Sequence, residues 1–249
     1  MKKLNIRKIR LFTHSDLFLG QKISIIDQDF HYISNVRRLN LGDEFVVFNG
    51  LAGEWIAEII NKKKNSLELL VRDFLNAQLN YRNFECYFAP LKNNRHNYVI
   101  EKLTELGITS FTPIITEYSD LRKISTTKLT LRAKEAAEQC GLMVVPDINS
   151  QIFFEQIFGN IKSNTQLLFF DEKSDEGNPI STLQSMKFDN VIILIGPEGG
   201  FSESERSKLI QEKSVTSISL GSRILRADTA SIFAAILLQI TAGDIFTQK

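Results

Sequence analysis

The chain has 249 residues, of which 43% are hydrophobic and 24% charged, and its formal net charge is +1. That balance fits a globular protein with a sizeable core and excludes a disordered chain. The most apolar stretch, Ala230 to Ala242, contains Gln239 and falls short of the roughly 20 residues that span a bilayer.

The opening MKKLNIRKIRLF is basic but lacks the apolar run of a secretion signal, which predicts a cytoplasmic protein. Residues 1–75 carry 12 Lys/Arg against 9 Asp/Glu (+3), and the remainder 18 against 20 (−2). A basic end on a near-neutral chain points weakly to a nucleic-acid partner. Short apolar runs at Lys22–Ile26, Phe45–Phe48, Trp55–Ile60 and Leu67–Val71 predict strands. Asn49-Gly50 makes a hairpin turn, and Lys62–Ser66 a polar one. One helix interrupts them: Asp29 caps it, Phe30, Ile33, Val36 and Leu39 space out along it, and Gly42 stops it. The polar stretch Asn76 to Arg82 reads as a linker, giving a β-rich domain over residues 1–75 and a second domain over 76–249.

From Phe84 onward strands and helices alternate. Strands are predicted at Phe84–Ala89, Phe111–Ile115, Leu167–Phe170, Val191–Ile195 and Val215–Leu220, with Pro113 arguing for an edge or irregular position. Helices are predicted over Tyr98–Leu106, Thr126–Cys140, Glu203–Lys213 and Thr229–Ala242, the first two followed by Gly107 and Gly141. The alternation argues for an α/β domain with a mostly parallel sheet. Cys86 and Cys140 cannot make a disulfide framework, and neither stands at a metal-ligand spacing from His14, His31 or His96, so no metal site is expected.

Two loops carry the chemistry. The first is Leu194-Ile195-Gly196-Pro197-Glu198-Gly199-Gly200-Phe201-Ser202, a tight turn after a buried strand, with Ser202 and Glu205 at capping-box spacing for the helix that follows. Glycines let backbone approach a ligand closely. On the glycines alone a tight connection with no ligand is the better reading; Glu198, an ionisable group inside the turn with no evident structural need, tips the balance. The second is Leu220-Gly221-Ser222-Arg223-Ile224-Leu225-Arg226-Ala227-Asp228-Thr229, with Asp228 or Thr229 as helix cap. Both follow strands, and ligands of open α/β sheets sit off the carboxyl ends of strands, so the two loops are expected to face one crevice. Neither loop fits G-x-x-x-x-G-K-[ST], G-x-G-x-x-G or G-x-S-x-G.

GPEGGFS followed by SLGSRILRADTA resembles the RsmE family of SPOUT (trefoil-knotted) RNA methyltransferases. The resemblance extends along the chain. Phe30-His31-Tyr32-Ile33-Ser34-Asn35-Val36-Arg37-Arg38-Leu39 is similar to the family's N-terminal PUA-like barrel signature, and Lys102–Gly107 and Glu135–Cys140 to two middle motifs. The chain departs from the family pattern at Leu142, where an arginine is expected, and at Ala227-Asp228, where Thr-Glu is common.

The resemblance implies a small PUA-like β-barrel over residues 1–75 and a knotted SPOUT α/β domain over 76–249. It implies methyl transfer from S-adenosylmethionine to N3 of one uridine, uridine 1498, in 16S rRNA of the small ribosomal subunit, by a homodimer. Leu168, Ile195, Gly196, Pro197, Gly199, Gly200, Leu220, Gly221 and Leu225 would hold the cofactor. Glu198 would act as base or orienter and Arg226 would stabilise the uridine anion. Arg7, Arg10, Arg37, Arg38, Lys92 and Arg95 would contact RNA phosphates, which position RNA without specifying it. Two other classes of function fit the same loops: an RNA-binding assembly factor without catalysis, and a small-molecule enzyme using the Gly196–Gly200 turn for an anion.

Overall fold

A computed structural model describes residues 9–174, 177–186 and 190–243. The chain divides into two compact units, one of residues 1–80 with 137–145, the other of residues 81–136 with 146–249.

The first unit is a curled five-stranded sheet of β1 (Arg10–Phe12), β2 (Lys22–Ile26), β3 (Glu44–Phe48), β4 (Glu54–Lys62) and β5 (Ser66–Asn76), in the order β1-β3-β4-β5-β2. β1 pairs parallel with β3 and the other pairs are antiparallel. Strand β2 alternates as a half-buried strand should: Ile23 and Ile25 point into the core while Lys22, Ser24 and Ile26 face out. They join Leu11, Phe45, Val47, Ile59, Leu69 and Val71 in one apolar cluster. The β3–β4 turn forms at Asn49-Gly50. Gly50 takes φ +81°, and the Asn49 side-chain oxygen accepts from the Leu51 and Ala52 amides.

The predicted helix takes a different form. It is one short helix, α1 (Asp27–His31), running into a wider π-type turn over Tyr32–Val36. Asp29 lies inside α1, and Ile26 rather than Asp29 occupies the cap position. The wider turn shifts the angular register after Ile33, so Ile33 stays buried while Val36 is 58% exposed.

The second unit is a seven-stranded, all-parallel assembly. Its strands are β6 (Asn83–Phe88), β7 (Ser110–Ile115), β8 (Asp147–Ile148), β9 (Ile152–Phe153), β10 (Thr165–Phe170), β11 (Asn190–Ile195) and β12 (Val215–Ile218). The order is β12-β10-β11-β6-β7-β8, with β9 also on β7. Its helices are α2 (Arg95–Glu105), α3 (Thr126–Cys140), α4 (Ile157–Asn160), α5 (Pro179–Ser185), α6 (Glu203–Gln211) and α7 (Ala227–Ala242). α7 packs on α2, α5 and β11. Phe154, Ile157 and Leu209 cover Leu167, Phe169, Ile192 and Leu194. Burial on both faces explains why β10 and β11 are continuous apolar runs rather than alternating ones.

Pro113 is not on an edge. It sits in β7 beside Phe88 of β6, opposite the break where β8 has ended at the level of Phe111 and β9 begins at Ile114. The missing amide hydrogen falls where no continuous partner strand needs it. Among the described residues, no helix is long and apolar enough to cross a membrane.

Candidate functional site

Strands β10, β11 and β12 lie side by side and run parallel, so the three loops at their carboxyl ends converge. Between those loops is a crevice of about 450 Å³, a size typical of small-molecule and cofactor sites. Phe169 and Phe201 give it an apolar wall, the loop after β11 contributes Ile195 to Glu198 and Gly200, and the loop after β12 contributes Leu220, Gly221 and Arg223 to Ala227. The two glycine loops expected to face each other therefore do.

Local chemistry holds each wall. Ser202 caps α6 through the Glu205 amide, and the Glu205 carboxylate bonds back to the Ser202 amide, so the capping box is complete. Gly200 adopts φ +69°, which only glycine takes without strain. A Cβ added to Gly196 would stand 2.8 Å from the Phe201 ring, so that position is glycine for space rather than for angle. After β10, Asp171 is buried and its Oδ2 accepts from Nε and Nη2 of Arg206 at 2.9 and 2.8 Å. The Lys173 amide donates to Asp171 Oδ1, and the Lys173 ammonium pairs with Glu203.

The charged groups fall into two classes. Arg206 and Lys173 are committed to Asp171 and Glu203, and Arg95 lies 3.4 Å from Asp228 of α7. Arg223 and Arg226 line the crevice, are exposed, and have no side-chain partner among the described residues. Glu198 is exposed, and its Oε1 accepts the Lys92 amide at 3.1 Å, tying the glycine loop to the start of α2.

Several expectations need correction. Leu168 is fully buried in β10 and does not reach the crevice; its neighbours Phe169 and Phe170 do. Gly199 does not line the crevice; a Cβ on it would meet Tyr118. Asp228 and Thr229 lie within the first turn of α7, whose cap position is Arg226 without a side-chain bond. Arg10 is no surface contact: it is 9% exposed, pairs with Glu54 at 2.7 Å, and donates to the carbonyls of Ala137, Glu138 and Leu142. Arg37 and Arg38 are exposed on the first unit, and Lys92 is exposed beside Asp120. Arg95, expected on RNA, lines the crevice itself. Arg7 lies outside the described residues. The segment Phe170-Asp171-Glu172-Lys173 escaped the sequence reading, although three charged residues directly after a buried strand were a usable signal.

Residues 78–239 match the family described as an RNA methyltransferase domain, and residues 25–72 match an RNA methyltransferase PUA domain. A ribosomal RNA small subunit methyltransferase E from Rickettsia conorii is 34% identical over 227 residues, covering 90% of this chain and 92% of that protein. The chain belongs to the ribosomal RNA small subunit methyltransferase E family. Two solved structures share the fold of this family member. One is the methyltransferase E of Neisseria gonorrhoeae bound to S-adenosylmethionine (TM-score 0.86, 22% identity, 96% of this chain and 100% of that one). The other is a Legionella pneumophila methyltransferase in complex with the same cofactor (TM-score 0.85, 27% identity, 96% and 100%).

One titratable group near the crevice responds to pH in a defined direction. Burial pushes the His96 imidazole below its ordinary value, and the Leu91 carbonyl accepting from Nδ1 offsets only part of this. The folded state thus binds a proton at His96 less readily than the unfolded chain does, so stability from this group is present above about pH 6.5 and is lost as pH falls below it. The melting temperature of His96→Gln is expected to vary less between pH 7.5 and 5.5 than that of the parent. Equal slopes in the two proteins would refute the assignment.

Proposed function

We infer that this member of the family methylates N3 of uridine 1498 in 16S rRNA of the small subunit, with S-adenosylmethionine as donor. The observation that carries this is the crevice where the loops after β10, β11 and β12 meet, in a chain similar over most of its length to proteins named for small-subunit rRNA methylation. The residues present fit the cofactor: a glycine at 196 lets the Phe201 ring pack against the loop as part of the crevice wall, an aromatic wall suits an adenine, and cations with no side-chain partner among the described residues suit a carboxylate. When bound, S-adenosylmethionine supplies a methyl already activated on a sulfonium. Backbone groups of Ile195, Gly196, Gly200, Leu220 and Leu225 would hold it, with Pro197 and Gly221 shaping the turns around it and Phe169 closing the wall.

The protein's remaining tasks are orientation and proton handling. Uracil N3 must lose a weakly acidic proton. Glu198, at the crevice rim with Oε2 free of hydrogen bonds among the described residues, accepts it or orients the base; the Arg226 guanidinium, with no side-chain partner among those residues, stabilises the anion. Arg37, Arg38, Lys92 and Arg95 provide phosphate contacts. The wider reading includes a cytoplasmic homodimer with a trefoil-knotted second domain acting in ribosome biogenesis, and a domain division near residue 75.

The test is methyl transfer from labelled S-adenosylmethionine to small subunits lacking the modification, with the product nucleoside identified by mass spectrometry. 3-Methyluridine at one site is expected, and its absence overturns the reading. Glu198→Ala is expected to lower turnover by about 100-fold or more, the usual worth of a positioned acid–base group. Near-parental turnover would exclude an essential role for Glu198.

A further inference from the structure

The loop that follows β7, residues 116–125, lies beside the glycine loop yet contributes nothing to the crevice wall. Its first turn is fixed at nearly every backbone group. The Thr116 amide donates to Ser119 Oγ at 2.9 Å, and the Ser119 amide donates back to the Thr116 carbonyl at 3.2 Å. Arg122 donates to the carbonyls of Thr116 and Glu117. Asp120 pairs with Lys92 at 2.9 Å. The Glu117 amide donates at 2.8 Å to Oε1 of Glu205, the same buried carboxylate whose other oxygen completes the capping box of α6. One carboxylate therefore clamps this loop to the glycine loop.

At the centre of the fixed turn stands Tyr118. Its Cβ and ring edge lie against Gly199, between two residues that line the crevice, Glu198 and Gly200. Its side chain is nonetheless largely free: the residue is 49% exposed, and neither its ring nor its hydroxyl has a partner among the described residues. A large, stiff aromatic held by an over-determined backbone and left without a partner is the arrangement by which proteins present a stacking face to an unpaired base. The cation Lys123 on the same loop is exposed and suits an adjoining phosphate.

We propose that Tyr118 is an RNA-binding residue that stacks on a nucleobase of the substrate strand at the crevice mouth, and that Glu205 is the positioning residue that holds it there. This rests on the methyltransferase reading above. The occupant is a single-stranded or flipped-out base because only an unstacked base offers its face, and methylation at N3 of uracil requires the Watson–Crick edge to be free.

The test uses the full chain, labelled S-adenosylmethionine and unmodified small subunits. Tyr118→Ala is expected to raise KM for the subunit about tenfold, a typical effect of losing one base–aromatic stack, while the Kd for S-adenosylmethionine by calorimetry stays within about twofold. Tyr118→Phe retains parental KM and Tyr118→Leu does not. Glu205→Gln, which keeps the size of the clamp but donates where it should accept, raises KM for the subunit in the same direction. A Tyr118→Ala enzyme with parental KM overturns the proposal, as does one whose cofactor affinity falls in step with its RNA affinity, since that would make Tyr118 a mere prop for Gly199. If the parent transfers no methyl to RNA, the functional reading itself has failed; if the parent is active and Tyr118→Ala is unaffected, only the stacking role has.

Discussion

Gly196→Ala lowers affinity for S-adenosylmethionine by about 10- to 100-fold. The added Cβ would stand 2.8 Å from Cε2 and 3.1 Å from Cδ2 of Phe201, closer than carbon atoms approach. The ring has little room to yield, because it packs edge-on against Phe169 at 5.3 Å between centroids and against Phe154 at 6.1 Å. Either Phe201 tilts into the crevice it lines or the loop from Ile195 to Gly200 moves outward; both reshape the cofactor wall. Overpacking of this kind costs about 1–3 kcal/mol, which sets the expected range. Gly199→Ala is the matched control. Its Cβ would press at 3.3 Å on Tyr118, which does not line the crevice, so cofactor affinity is expected to change by less than about threefold. Calorimetric titration of the two variants decides the matter, and equal affinities would mean that the turn after β11 does not hold the donor.

What could be read from the sequence was what depends on neighbours along the chain. Strand β2 was legible to the residue because its alternation is local, and so was the start of α6, because Ser202 and Glu205 are only three apart. The glycine loops could be placed at strand ends for the same reason. What failed depended on which strand lies beside which. The crevice needs the loop after β10 because β12 returns to pair on the far side of β10 rather than beside β11. No spacing in the sequence shows that return, so Phe169 to Lys173 were passed over. The resemblance implies Leu168 in the wall, but burial on both faces of β10 hides which of its residues reach the crevice, and Phe169 and Phe170 do. Of the edge or irregular position expected for Pro113, the irregular one holds: a proline inside a sheet is tolerable where a neighbouring strand stops, and a single chain segment does not reveal which strand that is.

Arg10 shows the same limit most sharply, and its replacement has the largest expected effect on stability. A basic residue in a basic opening segment reads as solvated or bound to RNA. Instead its guanidinium is buried within the first unit, over the Phe48 ring at 4.4 Å. Its Nε meets Glu54 at 2.7 Å, Nη1 meets the Ala137 carbonyl at 2.7 Å, and Nη2 meets the Leu142 carbonyl at 3.0 Å. Those carbonyls lie in and just after the last turn of α3, where backbone oxygens lack intrahelical donors and the helix dipole is negative, so the cation meets the helix end with matching charge. Glu54 is held in turn by the Asn76 amide at 2.6 Å. Arg10→Ala strips the cation, leaves the buried Glu54 carboxylate without its counter-charge and removes a donor from the carbonyls at the end of α3, a loss of about 3–5 kcal/mol. The denaturation midpoint of the first unit, followed by fluorescence of Trp55, should fall accordingly. Arg10→Met combined with Glu54→Leu should recover a large part of that loss, because removing both charges removes the desolvation cost along with the attraction. The alternative, an Arg10 that serves RNA, predicts the reverse pattern: an unchanged midpoint for Arg10→Ala and a salt dependence of RNA binding reduced by about one phosphate contact.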